Sequence, residues 1–170
     1  QRVYGPTLML YVLEMAARTK IPVGFYGGEP MTLQILVDRL LKRYPGLQIR
    51  YAFSPPFRAL NKQEEEHIQQ EIVDSQIRIL FVGLGCPRQE RWIDAQRGLI
   101  PAVMLGVGAA FDFHAGTKPQ APGWMQNIGL EWLFRLLSEP RRLWKRYLYH
   151  NPRFVVLALA DLFGFLQEKK

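Results

Sequence analysis

The chain has 170 residues, 48% hydrophobic and 22% charged, the ordinary make-up of one globular domain with a core of its own. A single cysteine excludes an internal disulfide, no signal peptide is visible, and no apolar run is long enough to span a bilayer. The net charge of +7 is concentrated: between positions 135 and 153 six basic residues (Arg135, Arg141, Arg142, Lys145, Arg146, Arg153) face one acid, Glu139, which points to a polyanionic partner.

Residues 7–19 carry Leu8, Tyr11, Val12, Met15 and Ala16 at helical spacing. Residues 22–26 read as a strand ending in Gly27-Gly28, and Glu29-Pro30 opens a helix to about Tyr44 that Pro45-Gly46 stops. Residues 47–53 alternate, which predicts Leu47, Ile49, Tyr51 and Phe53 on one face of a strand broken by Ser54-Pro55-Pro56. Asn61 caps an acidic helix through about Asp74. Ile79, Leu80, Phe81 and Val82 then form a short apolar run suited to a strand buried on both faces. Gly83 and Gly85 let the backbone turn, and Pro87 suits the first turn of a following helix. Residues 102–107 make a last strand before G-V-G-A-A-F-D-F-H-A-G from Gly106.

Strands alternating with helices predict an α/β fold: a Rossmann-like parallel sheet wrapped by helices. Ligands in such folds bind at the carboxyl ends of the strands. Gly27-Gly28, Ser54, Gly83 to Gln89 and Gly106 to His114 should therefore share one rim. Residues 1–117 are expected to form this core, and residues 118–170 a basic helical appendage. There, Trp124 begins amphipathic helical sequence to about Ser138, Pro140 kinks or restarts it, and Arg135, Arg142, Lys145 and Arg146 fall on roughly one face. The apolar segment 154–166 is too short to span a membrane and is expected to dock on a partner or lie at an interface.

The chemistry these residues allow is narrower than the fold. Neither glycine turn completes G-x-G-x-x-G, since Arg88 and Phe111 hold the third positions, and no acid lies about twenty residues beyond Gly83 for a ribose. There is no phosphate loop of the G-x-x-x-x-G-K-[ST] kind. His67, His114 and His150 lack metal-ligand spacing, so neither a metal nor a cofactor is expected. Cys86, with no neighbouring histidine, is expected to serve packing. If 111–113 is extended, Asp112 and His114 share a face and could meet a diphosphate or a sugar hydroxyl; equally they could brace a turn. Gln89 is either a neutral donor and acceptor aimed at the pocket or a solvated surface glutamine. Trp124, Trp132, Phe134, Trp144, Tyr147 and Tyr149 interleave with the arginines, as suits a membrane headgroup zone. Single-stranded nucleic acid would use similar residues, and a helical hairpin with a solvated basic face needs no ligand at all. The apolar 154–166 segment favours the membrane.

Several long stretches, in order, resemble the WecG/TagA/CpsF glycosyltransferases: R-V-Y-G-P at 2–6, F-Y-G-G at 25–28, G-L-G-C-P-R-Q-E at 83–90, W-I at 92–93, the motif at 106–116, A-P-G-W-M-Q at 121–126 and L-E-W-L-F-R-L-L-S-E-P-R-R at 130–142. The resemblance implies inverting transfer of an N-acetylhexosamine-type sugar, N-acetylmannosamine or its uronic acid, from a UDP-sugar to a polyprenyl-diphosphate-linked sugar. Such transfer serves surface polysaccharide or teichoic acid synthesis, by an enzyme peripheral on the cytoplasmic face of the membrane. It assigns Arg2, Gly83, Gly85, Gln89 and Asp112 to substrate binding. Arg135, Arg142, Lys145 and Arg146 go to the acceptor diphosphate or the membrane. It implies no nucleic-acid partner and leaves homo-oligomerisation open. The family's catalytic aspartate and a pocket threonine precede R-V-Y-G-P, and the chain begins at Gln1 rather than Met, so an N-terminal portion is expected to be missing and the catalytic residue is unknown here. A non-catalytic module holding a nucleotide-sugar or lipid diphosphate is the alternative. With no D-x-D triad in the chain, transfer is expected not to need a divalent ion.

Overall fold

A computed structural model describes residues 4–141, 143–144, 149, 152–154 and 156–157. The chain divides into two compact units, Gln1–Lys118 and Pro119–Lys170. The first contains α1 (Gly5–Thr19), β1 (Val23–Gly27), α2 (Pro30–Arg43), β2 (Ile49–Phe53), α3 (Lys62–Asp74), β3 (Ile79–Gly83), α4 (Arg88–Ala95), β4 (Val103–Gly106) and α5 (Ala110–Ala115). The four strands form one parallel sheet in the order β2-β1-β3-β4, the predicted Rossmann-like α/β arrangement.

That order reverses direction after β2. Right-handed crossovers then require helices on both faces of the sheet, and the core divides accordingly. One face packs Val23, Phe25, Ile79 and Phe81 under Met9 and Leu13 of α1, Leu33, Leu36 and Leu40 of α2, and Phe111 of α5. The other packs Tyr26, Leu80 and Val82 against Ile68 and Ile72 of α3 and Trp92 and Ile93 of α4. β1 and β3 are central and contribute side chains to both clusters, which is why they read as continuous apolar runs.

Two local expectations are corrected. Leu47, Ile49, Tyr51 and Phe53 do not share a face. Val23 pairs with Ile49 but Gly24 pairs with Tyr51, so Arg50 is an extra residue in the ladder. Such a bulge reverses the alternation. Leu47 and Ile49 accordingly join the first cluster, and Tyr51 and Phe53 the second. The segment 111–113 is likewise helical, not extended, lying within α5.

In the second unit, the sequence from Trp124 to Ser138 is not one helix. It forms α6 (Gly123–Asn127) and α7 (Glu131–Ser138), with Gly129 between them. Trp124, Ile128, Trp132 and Leu137 are exposed, as are Trp144, Tyr149 and Phe154. Among the described residues no helix is long and apolar enough to cross a membrane. Residues 158–166, most of the apolar C-terminal segment, lie outside the described residues.

Candidate functional site

The carboxyl ends of the four strands are joined side by side by hydrogen bonds. After β2, Ser54 Oγ donates to the Gly28 carbonyl at 2.6 Å. After β1, the Gly28 N–H donates to the Gly83 carbonyl at 3.2 Å. Beyond β3, the first turn of α4 carries Gln89, whose Oε1 accepts the Gly108 N–H at 3.0 Å from the turn after β4. Four turns from four different strands thus form one continuous rim.

Gly27 and Gly83 make the centre of that rim tight. Gly27 has φ +117°, and a Cβ on it would lie 2.6 Å from the Gly83 carbonyl carbon. A Cβ on Gly83 would lie 2.7 Å from the Phe111 ring. A side chain at Gly27 would strike backbone, and one at Gly83 would have to displace the Phe111 ring. Gly85 differs: with φ +78° it turns the chain, and a Cβ there would meet nothing within 4 Å. Of the two predicted glycines, Gly83 faces protein and Gly85 faces open space. The Cys86–Pro87 peptide is cis, and Cys86 is exposed, which corrects its expected packing role.

Gln89 is 6% exposed and so is not a solvated surface glutamine. Besides accepting from Gly108, it donates through Nε2 to Glu90 Oε1 at 2.9 Å. Asp112 stands in the first turn of α5, four residues beyond Gly108, with its side chain 23% exposed. Its Oδ2 meets Lys118 Nζ at 3.2 Å, and its Oδ1 accepts from Thr117 Oγ1 at 3.4 Å. Asp112 therefore braces the turn that closes α5, and it does so without His114. That ring is directed to α1, where Nε2 lies 2.9 Å from the Pro6 carbonyl. Burial holds the His114 pKa below its ordinary 6.5, so the neutral ring donates to Pro6.

Behind the rim, Tyr26 at the end of β1 stacks on Trp92 of α4 at 4.3 Å between ring centroids, and on Phe53 at 6.3 Å. Burial pushes the Tyr26 phenol up to about 12; the Glu65 charge adds to this and the Arg88 charge opposes it. The stack fixes α4, and with it Gln89, against the sheet. Between α4 and the edge strand β4 runs an open cleft of about 450 Å³ lined by Glu90, Ile93, Asp94, Arg97, Met104 and Gly106. Among the described residues no three of His, Cys, Asp and Glu converge to hold a metal.

Of the basic candidates, Arg135 on α7 forms an ion pair with Glu131 at 2.6 Å. Arg2, Arg142, Lys145 and Arg146 lie outside the described residues. Two partners were not legible from sequence. Lys118 pairs with Asp112 across a turn, and the Gly108 N–H bonds a side chain nineteen positions earlier, beyond the reach of any local pattern.

Comparison with known proteins gives this geometry its context. Residues 1–168 match the Glycosyl transferase WecG/TagA/CpsF family. A protein of Bacillus subtilis (strain 168), named N-acetylglucosaminyldiphosphoundecaprenol N-acetyl-beta-D-mannosaminyltransferase, is 30% identical over 161 residues, which is 94% of this chain and 60% of the relative. A protein of the same name from Bacillus spizizenii (strain ATCC 23059 / NRRL B-14472 / W23) is 32% identical over 159 residues, 93% of this chain and 59% of the relative. The chain thus spans about three-fifths of the length of these relatives.

Proposed function

This chain belongs to the WecG/TagA/CpsF family of glycosyl transferases, and on that premise we propose that its rim binds the UDP-sugar donor of an inverting glycosyltransferase. The sugar moved is of the N-acetylmannosamine type, and the acceptor is a sugar on a polyprenyl diphosphate. The names of the two Bacillus relatives support both. The observation that carries the reading is the hydrogen-bonded rim, which brings the turns after all four strands to the edge where parallel sheets take ligands.

In this reading the diphosphate of the donor lies over the turn at Gly85, where the backbone can be approached without a side chain in the way. The N-terminus of α4 directs its positive end there. That charge stabilises the UDP leaving group as the bond to the anomeric carbon breaks and the acceptor hydroxyl attacks from the opposite side. The acceptor's proton passes to a general base, and no residue of this chain is assigned that role. Gly83 supports the site from below by admitting Phe111, and Asp112 supports it by closing α5. Arg2 is assigned to the donor by the family motif alone. The second unit, with exposed aromatics and the basic set Arg135, Arg142, Lys145 and Arg146, serves the acceptor diphosphate and the membrane surface.

Titration of the chain with UDP, ADP and GDP by calorimetry, in EDTA, tests the reading. UDP should bind at least tenfold more tightly than the purine nucleotides, equivalent to about 1.4 kcal/mol. Equal affinity for all three would overturn it. Binding that needs added manganese would overturn the metal-independent form. Binding without transfer to a lipid-diphosphate acceptor would make the chain a nucleotide-sugar-binding module.

A further inference from the structure

We propose that Gln89 is a positioning residue of the donor site: it holds the turn after β4 in shape and does not itself touch the donor. The proposal rests on the donor reading above. Both ends of the Gln89 amide are engaged within the protein, Oε1 by the Gly108 N–H at 3.0 Å and Nε2 by Glu90 Oε1 at 2.9 Å. The residue is 6% exposed, so little of it faces a ligand. Gly106 makes room for it from the other side. A Cβ at that position would lie 3.0 Å from Nε2 and 3.3 Å from Cδ. The amide thus fills a slot between the first turn of α4 and the turn that leads into α5.

The chemistry explains why the residue is glutamine. The slot needs an acceptor towards a backbone N–H and a donor towards a carboxylate, and a neutral amide supplies both at once. A carboxylate at position 89 would still accept from Gly108 but would set its charge against Glu90. A leucine would leave the part-buried Gly108 N–H without its side-chain partner and free to exchange with water.

Exchanging the two groups separates positioning from contact. In the double variant Q89E/E90Q, the carboxylate now at position 89 accepts from Gly108 and also from the amide now at position 90. The clamp is rebuilt while position 89 has lost its NH2. Amide hydrogen exchange at Gly108 and calorimetric UDP affinity are read on the same samples. In Q89L, exchange at Gly108 should accelerate about tenfold or more, and UDP affinity should fall about tenfold. In Q89E/E90Q both should return to within about threefold of wild type. Recovery of Gly108 protection without recovery of UDP affinity would show that the NH2 group contacts the donor, and would overturn the proposal. Equal Gly108 exchange in Q89L and wild type would also overturn it. Should Q89L fail to fold, G106A presses on the same amide from the opposite side and should accelerate Gly108 exchange in the same sense. A wild-type chain that does not bind UDP removes the donor reading, and Gly108 exchange alone then decides whether Gln89 fixes the turn.

Discussion

Replacing Gly83 with alanine tests whether this glycine serves the close approach of Phe111. The new Cβ would lie 2.7 Å from both Cδ2 and Cε2 of the ring and 3.1 Å from Cγ. Carbon atoms in comfortable contact stand about 3.5–4.0 Å apart, so the ring must retreat by about 1 Å. It has little room. Phe111 is 1% exposed and meets Phe25 edge-on at 5.7 Å, and Phe25 in turn stacks on Phe81 at 5.4 Å. Overpacking of this kind typically costs about 1–3 kcal/mol, and the confinement of three rings places G83A near about 2 kcal/mol. The cost should vanish when the ring is shortened. F111L alone should cost about 1–2 kcal/mol through the space it opens, and adding G83A to it should cost under about 0.5 kcal/mol more. The coupling read from this cycle is then about 1.5 kcal/mol, well outside the scatter of independent sites. Urea unfolding followed by circular dichroism measures all four proteins. If G83A costs the same in both backgrounds, the contact with Phe111 is not what demands glycine here.

Three further predictions concern pH and capping. His114 is held neutral, its folded pKa lying below 6.5, so protonation favours the unfolded chain. Stability should be full above pH 6.5 and fall as pH drops below it, whereas H114Q, which can still donate to Pro6, should show a flatter urea midpoint between pH 7.5 and 5.5. At the start of α3, Asn61 Oδ1 accepts the Glu64 N–H and Glu64 Oε2 accepts the Asn61 N–H, each at 2.9 Å. N61A should therefore cost about 1 kcal/mol in urea unfolding. Hydrogen bonds from Arg58, and then from the Asn61 backbone, hold the Glu64 carboxyl down at about 2. Its support is present above pH 4.5 and is lost as pH falls towards 2. E64Q should remove that acid dependence of the helical signal, and an unchanged acid profile in E64Q would refute the assignment.

What could be read from the residues alone follows the range of the forces involved. Strands β1 and β3 announce themselves because both faces are buried and glycine or proline bounds each run. The start of α3 is legible because its cap is a contact three residues long. The bulge at Arg50 is not. Register is decided by the partner strand, and the alternation of 47–53 is equally good with or without one extra residue. The sequence F-D-F-H alternates as a strand would, yet α5 is only six residues long, and one turn is too short for a helical period to outweigh alternation. What decides it is packing: Phe111 and Ala115, four apart, both enter the core.

The candidate site repeats this division on a finer scale. Small and polar residues after each strand could be recognised as turns, because glycine's backbone freedom is a property of the residue itself. Their linkage could not, since every bond along the rim joins residues from different strands: Ser54 to Gly28, Gly28 to Gly83, and Gln89 to Gly108. A parallel sheet sets strand ends about 4.8 Å apart, close enough for each turn to bond the next once the order β2-β1-β3-β4 is established. Residue type therefore supplies the turns and topology supplies their coupling. The same step changes the role of Gln89. On a helix surface it would be one polar side chain among many; placed by Tyr26 and Trp92 beside the β4 turn, it becomes the bond that ties α4 to the rim.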